Sequence, residues 1–311
     1  SQTMNKSAGT LAAGFSESLR YRKIRDRLVE LILLAAGLVA VFTTVAIVFI
    51  LVYESSFFFE HVSIREFLTD TMWTPLFADA RYGIMPLVAG TMTTTFVGLA
   101  VAIPLGTIIA IYLAEFAPHR LRETIKPMLE LLGAVPTVVY GYFALVLVTP
   151  LLQKVFPELP GFNMLSAGLV IGLMIVPYVA SVAEDAMRAV PRYMREGSYA
   201  MGATRLQTAL RVVVPGAFSG LAAAYILGIS RAVGETMVVA IAAGMQPNLT
   251  FNPTEPAATI TAYIVQVSLG DLPHDSIGYQ SIYAAGLVLL LITLVFNVLG
   301  FFLTRKFREA Y

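Results

Sequence analysis

Apolar residues run along this chain in long blocks, not at the alternating spacing of strands. Six blocks reach the about 20 residues that a bilayer-spanning helix needs: residues 28–53, 85–116, 127–152, 165–187, 215–245 and 282–304. The second, third and fifth exceed a straight span, so each tilts, kinks or extends past the membrane. Pro104 and Pro136 fall inside the second and third, where a missing backbone donor predicts a bend. The pattern predicts an all-α, polytopic membrane protein with six transmembrane helices. The first block reads as a span rather than a cleaved signal: its apolar run exceeds the about 7–15 residues of a signal core and ends at Tyr53-Glu54 without a small-residue cleavage site. Residues 1–17 read as a disordered stretch within an N-terminal tail over 1–27, ahead of a membrane domain over 28–311.

The connections set an orientation. With the N-terminus in the cytoplasm, 17 Lys and Arg fall on the cytoplasmic side and only Arg65, Arg81 and Lys154 on the other. Both termini are then cytoplasmic, as an even number of spans requires. Two external segments result, residues 54–84 and 246–281. In the first, Phe57, Phe58, Phe59 and Trp73 suit an interfacial aromatic belt, and Ser63 three residues before Glu66 is a capping-box pattern that predicts a short helix.

Composition agrees with a membrane protein and removes other chemistry. Hydrophobic residues make up 57% and charged residues 13%, against about 45–50% and 25% in soluble domains. A net charge of +1 gives no basic footprint for nucleic acid. No cysteine is present, and His61, His119 and His274 form no metal-ligand pair. The dipeptide Gly-Lys of a phosphate-binding loop is absent, so any ATP hydrolysis that drives this chain belongs to another polypeptide. No nucleophile motif occurs, and the chain reads as a non-enzyme with no cofactor of its own.

Ionisable groups inside a span are costly and mark function. Arg231 lies within the fifth block with Glu235 four residues on, which places the two on one helical face. They read either as a self-neutralising structural pair or as an anion site. In the second reading Arg231 supplies a fork of donors to an oxyanion, while Glu235 accepts from one that keeps a proton and repels one that is fully ionised. Thr91, Thr94 and Thr95 share a face of the second span as pathway candidates, although such hydroxyls commonly bond back to the preceding turn. Tyr140 and Tyr142 read mainly as packing, Asn297 as a polar link between helices, and Glu115 and Glu130 as interfacial.

The connection over residues 188–215 has a pattern of its own. Glu196-Gly197-Ser198, Gly202 after three residues, and Val212, Val214 and Pro215 after nine more predict two short helices, over 193–201 and 204–213, hinged at Gly202. This spacing resembles the E-A-A loop of ABC-importer permeases, with Gly197-Ser198 in place of two alanines and valines in place of Ile and Leu. The resemblance extends over residues 28–302. Trp73-x-Pro75, Tyr82-Gly83, Ala102-x-Pro104-x-Gly106, Gly133 to Gly141 and Gly234-Glu235-Thr236-Met237 are similar to phosphate-specific permeases, more to their C-type than their A-type subunit.

That resemblance implies the type I importer architecture, in a bacterial inner membrane. Glu196, Gly202, Ala203, Thr204, Arg205 and Pro215 would form a coupling helix and its flanks, docked on an ATPase. The implied partners are an A-type permease, two ATPase subunits that hold ATP and magnesium, an external phosphate-binding protein and the lipid bilayer. It also implies a phosphate role for Arg231 and Glu235, with Thr91, Thr94, Thr95 and Tyr140 beside the path. A permease for molybdate or sulfate would share the loop. A secondary anion carrier would show internal repeats, and none is evident.

Overall fold

The computed structural model describes residues 2–306 apart from Ala78 and Asp271; in the first helix, side chains are described from Arg22 on, Ile24 excepted. The chain divides into two compact units, residues 1–53 and 54–311. The first unit belongs to α1 (Gln2–His61), whose apolar stretch is long enough to cross a bilayer. The stretch expected to be disordered is helical from Gln2 on. Ala8, Leu11, Ala12 and Ala13 favour helix there and no proline interrupts it.

The regular elements of the second unit are helices, and its only strand pairing among the described residues is a single bridge between Trp73 and Tyr82. After α2 (Ile64–Thr69), α3 (Met85–Ile111) runs into a π turn, α7 (Met164–Ala189) crosses beside it, and α14 (Ile277–Lys306) closes the chain. Among the described residues, α1, α3, α7 and α14 are the four unbent helices long and apolar enough to span. The remaining two spans are bent. α4 (His119–Ala134) meets α5 (Thr137–Phe143), which continues through a π turn into α6 (Thr149–Gln153), at 88°. Helices α9 (Arg205–Thr208) and α10 (Val214–Gly216), joined by a π turn, meet α11 (Phe218–Val233) at 74°.

The bend expected at Pro136 is present, as the 88° corner of the third span, while residues 127–134, expected within that span, belong to α4, which is charged on one side and has no fully buried residue. The cause is local: a residue before proline is driven to extended geometry, and Val135 sits at φ −64°, ψ 132°. The fifth span is likewise discontinuous. Helix α11 stops at Val233, and α12 (Met237–Ala242) restarts after Gly234-Glu235-Thr236. Pro104, by contrast, interrupts nothing, because α3 continues through it between the buried Ala102 and Gly106.

Helices α3 and α7 pack nearly backbone to backbone. A Cβ on Gly172 would lie 2.7 Å from the Gly98 carbonyl oxygen, and one on Gly106 would lie 2.7 Å from Val179. Small residues permit such approach where water supplies no hydrophobic drive. The polar link expected of Asn297 is present: Ser230 donates to its Oδ1 at 3.3 Å.

One end of this unit has an aromatic core. Phe58, Phe67, Trp73, Tyr82 and Tyr263 are buried and meet edge to face, with Trp73 5.0 Å from Tyr263. Helix α13 (Ile260–Ser268) and the start of α14 complete it. Phe58 and Trp73 are therefore core residues rather than a lipid-facing belt, since paired rings are worth more packed together than apart. Ser63 caps α2 as expected, accepting from the Glu66 amide at 3.2 Å. At the opposite end, the last turns of α3 and α7 pack with α10, α11 and Met194 of α8 (Arg192–Ala200) around Met187, Val213 and Leu221.

Candidate functional site

At the break between α11 and α12, Arg231 stands in the last turn of α11 and Glu235 lies between the two helices. Glu235 is 8% exposed, and its Oε1 accepts from the amides of Met237 and Val238 at 3.1 and 3.2 Å. It thereby caps the helix that restarts the chain. The Glu235 carbonyl accepts from Thr261 Oγ1 at 2.7 Å, and Thr236 Oγ1 donates to the Gly234 carbonyl at 3.1 Å. Hydroxyls thus satisfy backbone groups that a continuous helix would have paired.

The expected Arg231–Glu235 pair does not form. Stacking at i and i+4 requires a helix through Gly234, and α11 ends one residue earlier. Instead the Arg231 guanidinium carbon lies over the ring of Tyr178, 4.1 Å from its centroid. Its Nε is buried without a hydrogen-bond partner, and no ion pair reaches Arg231 among the described residues. A cation over a ring face is attracted by the quadrupole, and no protein acceptor among the described residues takes up its N–H donors. Glu235 Oε2 likewise carries no hydrogen bond among the described residues.

The threonines divide. Thr91 and Thr94 donate to the preceding turn, at Leu87 and Gly90, each at 2.8 Å. Thr91 also accepts from the Ile260 amide, which ties α3 to the start of α13. Only Thr95 keeps a buried hydroxyl without a partner. Tyr140 donates to the Leu132 carbonyl at 2.7 Å, and Tyr178 donates to that of Gly133 at 2.8 Å. Both hydroxyls therefore satisfy carbonyls at the end of α4, just before the Pro136 corner.

The loop between α7 and α11 has the hinge its sequence predicts. Helix α8 ends in Gly202 at φ +82°, with Ala203 and Gly202 donating back to the Ser198 and Tyr199 carbonyls at 3.2 and 2.9 Å. This left-handed terminus favours glycine, which has no Cβ to strain there. Thr204 then caps α9 in a full capping box with Gln207, and Ser198 meets Thr208 at 2.9 Å across the hinge. Glu196, Gly202, Thr204 and Arg205 are exposed, Ala203 is half-buried, and Met201 at the tip is 88% exposed. Pro215 lies in α10, at the bend into α11.

Several polar contacts were not apparent from sequence. Arg195 anchors α8 by donating to Glu115, at 2.9 Å from Nη2, and to the Val190 and Met187 carbonyls. Glu115 is 5% exposed, so it is an internal ion-pair partner rather than an interfacial carboxylate. Lys126 of α4 bridges two carboxylates of α7, the buried Glu184 at 2.7 Å and the exposed Asp185 at 2.6 Å. Tyr178 was missed because its partners, Gly133 and Arg231, are more than forty residues away in either direction.

Residues 102–309 match the family described as binding-protein-dependent transport system inner membrane component. The probable ABC transporter permease protein YqgH of Bacillus subtilis is 35% identical over 279 residues, covering 89% of this chain and 90% of its own. The phosphate transport system permease protein PstC of Haemophilus influenzae is 31% identical over 266 residues, covering 78% and 82%. Among solved structures, a chain of a bacterial alginate ABC transporter, in complex with its alginate pentasaccharide-bound periplasmic protein, aligns with TM-score 0.62. At 16% identity over 91% of this chain and 95% of that one, the likeness is one of fold.

Proposed function

This chain belongs to the binding-protein-dependent transport system inner membrane component family and is the permease subunit of an ABC importer, and from that premise we propose that it forms half of a membrane pathway for inorganic phosphate. The observation that carries the reading is Arg231, a half-buried cation over an aromatic ring, its buried Nε without a partner and no carboxylate bound to it. An unpaired charge in a membrane interior is costly, and an arriving oxyanion would relieve that cost. The planar fork suits phosphate oxygens. Glu235, with one oxygen engaged by α12 and the other free, would accept from the P–OH that phosphate keeps near neutral pH and sulfate lacks. The similarity to a phosphate transport permease points the same way.

In this reading, an external phosphate-binding protein delivers the anion, an A-type permease supplies the other half of the path, and two ATPase subunits bind ATP and magnesium. The α8–α9 hinge docks in an ATPase groove, which places this end and both termini in the cytoplasm. A Thr204→Cys variant tests the orientation: an impermeant external thiol reagent should label it only after the cells are opened, and labelling of intact cells would invert the topology.

Glu235→Gln tests the substrate. The amide keeps the size, loses the charge and adds donors. With matched amounts of assembled complex, uptake of labelled phosphate should fall severalfold while sulfate becomes the better competitor. Unchanged phosphate uptake together with unchanged sulfate exclusion would remove Glu235 from the selectivity argument. Strong competition by molybdate or sulfate in the unaltered complex would assign the path to another oxyanion.

A further inference from the structure

We propose that Tyr178 is a positioning residue of the anion site: its ring holds the Arg231 guanidinium in place, and its hydroxyl ties that guanidinium to the α4–α5 corner. The proposal rests on the reading of Arg231 as an oxyanion ligand. A carboxylate partner would fill the guanidinium fork, whereas a ring face at 4.1 Å fixes the cation and leaves its N–H groups free. Tyr178 is itself well fixed. It stands on α7 between the buried Pro177 and Val179, and its hydroxyl donates to the Gly133 carbonyl at 2.8 Å. A Cβ on Gly133 would lie 3.0 Å from that hydroxyl and 3.1 Å from the ring carbon bearing it, so ring and α4 backbone are already in contact.

Two residues after Gly133 the chain turns through 88°. One stretch of α7 therefore touches the anion-binding cation on one side and the corner of a membrane segment on the other. The same helix holds α4 a second time, through Lys126 on Glu184 and Asp185. An anion that draws the guanidinium toward it acts on the ring, and through the hydroxyl on the corner. Occupancy of the path would reach the outer face of the bundle by this short chain of contacts.

The test uses the whole complex with its ATPase in liposomes, with inorganic phosphate as probe and rates normalised to assembled complex. Tyr178→Leu, which removes the ring, should raise KM for phosphate about fivefold, the scale of a lost cation–π contact. Tyr178→Phe restores the ring and should bring KM back to within about twofold of the unaltered complex, but with a lower maximal rate, because the Gly133 bond is gone. A purely structural residue would lower the maximal rate in both variants and leave KM alone. A Tyr178→Leu variant with unaltered KM overturns ring positioning, as does a Tyr178→Phe variant whose KM rises as far. A normal maximal rate in Tyr178→Phe overturns the link to the corner. Should Tyr178→Leu fail to assemble, Tyr178→Met carries the same expectation. Arg231→Ala separates the two levels: if it still transports phosphate, the anion-site reading beneath fails, whereas an inactive Arg231→Ala beside a normal Tyr178→Leu rejects Tyr178 alone.

Discussion

Two of the glycines that end helices in this chain, Gly202 and Gly234, do so for different reasons. Gly202 closes α8 at φ +82° with open space around it, and every contact that shapes the turn lies between Gly197 and Thr208. Gly234 closes α11 at φ −87°, ψ 0°, a conformation open to any residue. Its break is sustained from elsewhere, by Thr261 on the Glu235 carbonyl and by the Glu235 carboxylate on the amides of α12. The first turn is written in its own residues. The second is imposed by the fold around it, and that is where the charges lie.

The comparison can be sharpened by substitution, beginning with the largest effect. Arg231→Ala should abolish phosphate uptake, by at least about a hundredfold if the cation supplies the charge-assisted bonds of the site; uptake per assembled complex decides it, and retained transport would leave the second break a purely structural feature. Gly202→Val forces a β-branched side chain into left-handed geometry, at roughly 1–2 kcal/mol or more. We expect phosphate-stimulated ATP hydrolysis to fall about tenfold while phosphate binding to solubilised complex is retained; full coupling would show that the hinge does not need its observed geometry. Gly234→Ala should keep uptake within about twofold, since its Cβ would meet nothing nearer than the Ser230 carbonyl oxygen at 3.5 Å. A large loss there would mean that the break itself needs glycine. Thr261→Val removes the remote support of the break, a net loss of about 0.5–1.5 kcal/mol. It should lower thermal stability by a few degrees, and an unchanged melting temperature would place the support elsewhere.

The same distinction explains how far the sequence could be read. Apolar runs located the spans because bilayer thickness demands length, and the α8–α9 hinge was legible because Gly202 and the two helices that it separates lie within one short stretch of sequence. Arg231 and Glu235 were identified as intramembrane charges, but their pairing was inferred from helical spacing, and the helix stops between them. Trp73 was read as a lipid anchor because its partners Phe58, Tyr82 and Tyr263 gather only after folding. Thr91 and Thr94 proved to be bonded to their own helix, while Thr95, equal to them in the sequence, kept a free hydroxyl. Solvation of a side chain by a distant segment leaves no local pattern.

The contact of α3 with α7 has a mechanical consequence. Glycines at 98, 106 and 172 are notches that receive Ile171, Val179 and Val101 of the facing helix, and a side chain seated in such a notch resists shear between the two helices. The pair must therefore move as one stiff spar. Flexure is left to the jointed members beside it, at the Pro136 corner and at the gap between α11 and α12. A gate in this subunit would then open by rotation about those joints, with the spar as its fixed post.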